Sequence, residues 1–257
     1  MSEEPSAGPG AGPDAEGQPR SVRVDGMAGL APTPERLALR RLAAAMRSIT
    51  TRLVTTTADP AELAEAAEQL EVISESLARL PVGQGYEGFS EAANAGAALL
   101  AMAESRDEDD PERFAFFDHS PIIGLANPLS PPMRMDYDPA DPTVLWGRAT
   151  FGPAYEGPPG CVHGGYVAAI FDELLGATQS LSGTQGMTAH LEVDYRSPTP
   201  LGQELVLRGW LDGTEDRKIW ARATLHAGDR LCAEATALFL AFRPGAFEAM
   251  LDARDND

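Results

Sequence analysis

One helix-forming stretch interrupts the strand-rich C-terminal half of this chain: "GPPGCVHGGYVAAIFDELLG" (157–176). Its residues are apolar around nearly the whole helical circumference. A helix without a solvent-facing stripe has to be enclosed. What surrounds it in sequence is strand. "TVLWGRATF" (143–151) is rich in β-branched and aromatic residues. "MTAHLEVDYR" (187–196) alternates: Met187, Ala189, Leu191, Val193 and Tyr195 face one way, and Thr188, His190, Glu192, Asp194 and Arg196 the other. "QELVLRGWL" (203–211) and "KIWARATLHA" (218–227) follow, joined by a turn opening at Asp212-Gly213, and "AGDR" (227–230) turns the chain into "LCAEATALFLAF" (231–242). The expected order is about two strands, the buried helix, then four strands in an antiparallel meander. With one helix available, the sheet must wrap it, and the class is α+β.

The N-terminal half has a different texture. Residues 1–32 are rich in Gly, Pro, Ala and Ser without periodicity and are expected to be disordered. Two helices are expected next, over 33–54 and 59–80. The second has Asp59 as N-cap, Pro60 at the first helical position and Glu62 closing a capping box. Its Leu63, Ala66, Ala67, Leu70, Ile73, Leu77 and Leu80 form one apolar stripe. The pair reads as a helical hairpin, a packing appendage or dimerisation arm. "GQGYEG" (83–88) spells a dinucleotide fingerprint but follows a helix rather than a strand, so it is a loop. Residues 89–104 read as a weak helix, and the charge run 105–113 suits a boundary. The domains are therefore 1–32 (disordered), 33–113 (helical extension and linker), 114–247 (the wrapped-helix domain) and 248–257 (disordered tail).

A net charge of −19 argues against a nucleic-acid surface. No run is long and apolar enough to span a membrane, and the acidic N-terminus has no apolar signal core. Cys161 and Cys232, far apart and outside any CxxC, fit a reducing, cytoplasmic setting. His119, His190 and His226 lack metal-ligand spacing, so neither metal nor other cofactor is expected. No G-x-S-x-G elbow is present.

The helix order and its motif resemble the hotdog fold. "GCVHGGYVAAIFDELLG" is similar to the PaaI-type acyl-CoA thioesterases, including the carboxyl-terminal-modulator-like ones. That family carries His-Gly-Gly at the helix entrance and an Asp nine residues after the His, matched by His163 and Asp172. Its next strand holds a Met-Thr-Ala segment and ends in a basic-x-Pro turn, matched by Met187-Thr188-Ala189 and Arg196-Ser197-Pro198. The likeness spans roughly 115–245. It implies an acyl-CoA substrate, a place in fatty acid metabolism, and a homodimer, with pairs of dimers also known. It also implies a site built across the dimer interface, with Asp172 of one subunit facing the oxyanion loop of the other. For the phosphates of coenzyme A it implies Arg196, with Arg217 and Lys218 as a second basic pair. Asp194 departs from the Asn of the modulator-like branch, which bears on whether the acyl carrier is CoA or a carrier protein.

The chemistry is consistent with that likeness. Thioester hydrolysis needs a carboxylate to activate or replace water, and donors for the developing oxyanion. A helix N-terminus offers free N–H groups, and glycines there let a carbonyl approach. Gly164 and Gly165 supply this, with Gly165 N–H as the expected donor. Asp172 is the expected general base or nucleophile, its pKa raised by burial. Nine residues rise about 13.5 Å along a helix, so His163 and Asp172 of one chain need not converge. Each role has a rival. Asp172 could be a structural acid paired with an arginine. Glu173, about 100° round the helix, could be the base instead. His163 either touches substrate or holds its loop, and Thr188 either orients Asp172 or is simply a strand residue. A Cys161–His163 nucleophile pair is disfavoured, because residues two apart on a loop seldom bond so. The competing function is a non-catalytic hotdog protein that binds acyl thioesters or serves as a dimeric scaffold. A hydratase is disfavoured because no Asp-x-x-x-x-His pair is present.

Overall fold

The computed structural model describes residues 34–81, 120–131, 133–138, 140–184 and 186–243. The expectations for 1–32, 83–88, 89–104, 105–113 and 248–257 lie outside the described residues. Helices α1 (Pro34–Thr55) and α2 (Pro60–Leu77) precede the domain, and α3 (Gly164–Ser180) runs through it. Six strands form one antiparallel sheet: β1 (Arg134–Asp138), β2 (Asp141–Thr150), β3 (Gly186–Tyr195), β4 (Glu204–Glu215), β5 (Lys218–Ala227) and β6 (Arg230–Ala241).

The sheet order is β1-β2-β4-β5-β6-β3. The expected four-strand meander is therefore a three-strand one, β4-β5-β6, and β3 pairs with the far side of β6. Alternation of direction makes β2 and β3 parallel. A parallel return needs a crossover, and α3 is that crossover. The turn expected at Asp212-Gly213 is a bulge instead. The register shifts between Leu211 and Gly213, and β4 continues to Glu215. The reversal falls at Asp216, whose φ of 52° lies in the left-handed region that Asp tolerates.

The core lies between sheet and helix. Ile170, Phe171, Leu174 and Leu175 of α3 meet Leu145, Leu205, Leu207, Leu225 and Phe239 from the sheet, all fully buried. Full burial of each such side chain contributes about 1.5–3 kcal/mol. Two glycines let α3 lie close. A Cβ on Gly209 would sit 2.5 Å from Thr178 Oγ1, and one on Gly147 3.3 Å from Leu174 Cδ1.

The N-terminal helices form as expected. Asp59 Oδ1 accepts from Ala61 and Glu62 N–H, and Asp59 N–H donates to Glu62 Oε2, which closes the capping box. The hairpin does not. α1 rests on the domain through buried Ala43 and through Arg47, which donates to Leu125 O (3.1 Å) and Asn127 O (2.7 Å). No residue of α2 is buried.

Candidate active site

The loop entering α3 is built by close backbone approach. Gly157 N–H donates to Cys161 O, and a Cβ on Gly157 would lie 2.7 Å from His163 Cα. Val162 N–H donates to Thr199 O and His163 N–H to Tyr155 O, pinning both sides of the loop. His163 is the N-cap. Its Nδ1 accepts from Gly165 N–H at 3.0 Å, which leaves the neutral ring's proton on Nε2. The imidazole thus holds the loop, and the N–H expected as the oxyanion donor is bonded to it. Gly165 N–H is already taken, and Tyr166 N–H donates to His163 O. Gly164 N–H makes no hydrogen bond to an acceptor among the described residues. Tyr195 Oη donates to Gly164 O at 2.8 Å.

At the middle of α3, Thr188 Oγ1 donates to Asp172 Oδ1 at 2.9 Å. Simple alternation put Thr188 on the face away from the core. A bulge corrects it: Thr188 pairs with Phe239 and His190 with Leu238, so Ala189 is the extra residue. Leu191, Val193 and Tyr195 remain opposite the core residues Ala237, Ala235 and Ala233. Before the bulge the parity flips. Thr188 then stands opposite buried Phe239 and turns to the helix, while Met187 turns away.

Asp172 itself is exposed in the single chain, contrary to the expectation of burial. The enclosed carboxylate is Glu173. Burial pushes its pKa up from the ordinary 4.5, against the downward pull of a 2.7 Å hydrogen bond from Ser120 Oγ. Ser120 Oγ in turn accepts from Ile122 and Ile123 N–H. Glu173 is thus committed to the 120–123 turn, away from Thr188. Neither Asp172 nor Glu173 has an arginine partner among the described residues.

The four candidate coenzyme-binding residues fall at two ends of the sheet. Arg196 donates through Nε to Glu234 (2.6 Å) and through Nη2 to Asp194 (3.0 Å). Glu234's hydrogen bond, with the nearby charges, raises its pKa further. Arg217 Nε donates to Ala241 O, and Lys218 Nζ lies 5.9 Å from the Trp220 ring. Both lie beside the Met187 end of β3, since Lys218 and Met187 both stand opposite Leu240. Cys161 Sγ points to Pro159 O, not to His163. Sequence reasoning missed two positioning groups, Tyr195 Oη and Ser120 Oγ. Ser120-Pro121 is a turn-initiating pair, so Ser120 had a local signal. Tyr195 had none beyond its place at a strand end.

A helix enclosed by this sheet order, entered through a glycine turn, is the hotdog fold. The thioesterase superfamily model matches residues 159–234, from that turn into β6. This segment is similar to the thioesterase superfamily. A solved thioesterase superfamily protein superposes with a TM-score of 0.65 at 28% identity, covering 79% of this chain and 94% of that one. Among curated relatives, acyl-coenzyme A thioesterase THEM4 of Xenopus laevis is 39% identical over 95 residues, 36% of this chain and 43% of that protein. The Mus musculus THEM4 is 40% identical over 91 residues (35% and 39% of the two chains). Acyl-coenzyme A thioesterase THEM5 of Homo sapiens is 33% identical over 87 residues (33% and 35%). The chain spans less than half the length of these curated relatives.

Proposed function

We propose that this chain hydrolyses acyl-CoA thioesters to the free acid and CoA. The observation that carries this is the Thr188–Asp172 hydrogen bond, which orients an exposed carboxylate on an otherwise buried helix. Asp172 takes a proton from water as the water oxygen attacks the thioester carbon, or attacks that carbon itself. The carbonyl oxygen becomes an oxyanion and accepts from Gly164 N–H. In the first course the C–S bond then breaks and the CoA sulfur leaves with that proton; in the second CoA leaves as a thiolate, and water hydrolyses the mixed anhydride on Asp172 to the free acid, restoring the carboxylate and giving its proton to the thiolate. A single donor of this kind typically contributes about 2.7–4 kcal/mol to the transition state.

Asp172 and Gly164 lie about 12 Å apart along one helix, so the site is completed by a second copy. β3 is an edge strand, and Met187 and Tyr195 are 54% and 55% exposed there. Its unpaired backbone groups fit the β3 of another chain, which makes a homodimer. Arg217 and Lys218 supply cations for the CoA phosphates. Arg196 joins them only if a phosphate displaces Asp194 or Glu234 from it. Two unpaired cysteines fit a reducing, cytoplasmic setting for this reaction.

The test is thiol release from short, medium, long and aromatic acyl-CoAs, wild type against Asp172→Asn. Turnover of at least one substrate that falls by about 10²–10⁴ in the variant is the expected result. Binding of acyl-CoA without turnover of any of them would make this a ligand-binding hotdog protein.

A further inference from the structure

Both N-terminal helices carry an apolar seam with alternating spacings of three and four. On α1 it is Leu39, Leu42, Met46, Ile49 and Leu53; on α2 it is Leu63, Ala66, Leu70, Ile73 and Leu77. This spacing makes a helix pack lengthwise on another helix. Yet both seams are open. Met46 is 41% exposed, Leu53 60% and Ile73 47%. α1 meets the domain through its other side, Ala43 and Arg47.

The two helices differ in charge. α1 carries Arg40, Arg41, Arg47 and Arg52, whereas α2 carries Glu62, Glu65, Glu68, Glu71 and Glu75 and no basic residue. Pairing α1 with α1, or α2 with α2, sets like charges side by side. Pairing α1 with α2 sets opposite ones together. Within one chain this pairing is not made, since α2 buries nothing.

We propose that α2 of one chain docks its seam antiparallel on α1 of a second copy, and that the second copy returns the contact. The reciprocal exchange covers all four seams and closes with two-fold symmetry. In antiparallel register Met46 faces the partner subunit's Leu70, and Leu53 its Leu63. The likeness to a solved superfamily member extends over 79% of this chain, more than the hotdog domain alone supplies. The arms are thus within the reach of the shared architecture. This inference concerns the arms and does not depend on the thioesterase chemistry.

The test is disulfide trapping in the full chain with half-buried Cys161 replaced (Cys161→Ser); Cys232 is fully buried. One preparation carries Met46→Cys, and a second, enlarged by a fusion tag, carries Leu70→Cys. Air oxidation of the mixture is expected to give a linked species of one tagged and one untagged chain. A chain carrying both substitutions is expected to link mainly to another chain. Adding Ile73→Glu to the tagged chain should reduce the linked species at least fivefold while leaving the melting of the hotdog domain unchanged. A double variant that links only within itself, with no mixed species, overturns the proposal in favour of a hairpin in one chain. No linkage in either preparation overturns it as well.

Discussion

Tyr195 Oη and His163 Nδ1 hold the same peptide unit from opposite ends: the tyrosine donates to Gly164 O, and the imidazole accepts from Gly165 N–H. With that plane fixed on both sides, the neighbouring peptide, which carries Gly164 N–H, has little freedom to turn. If Gly164 N–H is the oxyanion donor, as proposed, it is preorganised by these two bonds. Tyr195→Phe removes one hydroxyl and no volume. A neutral hydrogen bond contributes about 0.5–1.5 kcal/mol, so kcat is expected to fall by up to about tenfold with KM nearly unchanged. Steady-state kinetics check this. A rise in KM at constant kcat would assign Tyr195 to substrate binding instead.

The hydrogen bond from Thr188 to Asp172 is one to a carboxylate, and such bonds contribute about 1.5–3 kcal/mol. Thr188→Val is expected to lower kcat about 10–100-fold, and Thr188→Ser to recover most of it. Deleting Ala189 removes the bulge but leaves Thr188 opposite Phe239, still turned to the helix, because Ala189 has no partner on β6. The deletion should therefore keep most of the activity that Thr188→Val loses, with the circular dichroism of a folded sheet.

At Gly209 the sheet has no room for a side chain. Gly209→Ala places a carbon 2.5 Å from Thr178 Oγ1. Overpacking of this kind costs about 1–3 kcal/mol. Adding Thr178→Ala should restore part of that loss, read as a non-additive shift in urea midpoints.

Glu173 makes stability depend on pH. Its pKa is raised in the folded chain above the ordinary 4.5. The folded state therefore holds that proton more tightly than the unfolded state. The resulting stability is full below pH 4.5 and declines as pH rises through the folded pKa. Glu173→Gln keeps the acceptor for Ser120 and has no proton to lose. Its stability relative to wild type should climb with pH above 4.5 and then level off. Parallel denaturation curves at every pH would show that Glu173 titrates alike in both states.

The features legible in the sequence were those written in local pattern. The span 218–227 is β5, and Asp59 with Glu62 closes the capping box. The enclosed helix follows from its own circumference, and the Thr188–Asp172 pair from motif resemblance. Long-range choices were not legible. Nothing within residues 187–196 says that β3 will pair with β6 rather than β4. The bulge at Ala189 is equally silent, since Met-Thr-Ala-His reads as unbroken alternation. Asp212-Gly213 gives a turn signal that cross-strand pairing overrides. Of two adjacent acids, the sequence does not say which is enclosed, because that depends on Ser120, more than fifty positions away.

That serine has a wider consequence. Ser120 holds Glu173 and so fastens α3 one residue from Asp172. A few residues on, Arg47 of α1 grips the same loop at Leu125 and Asn127. The loop is a tether with two fastenings, one on the arm and one on the helix that bears the acid. Two regions whose sequences look unrelated are therefore mechanically coupled through a single short span of chain.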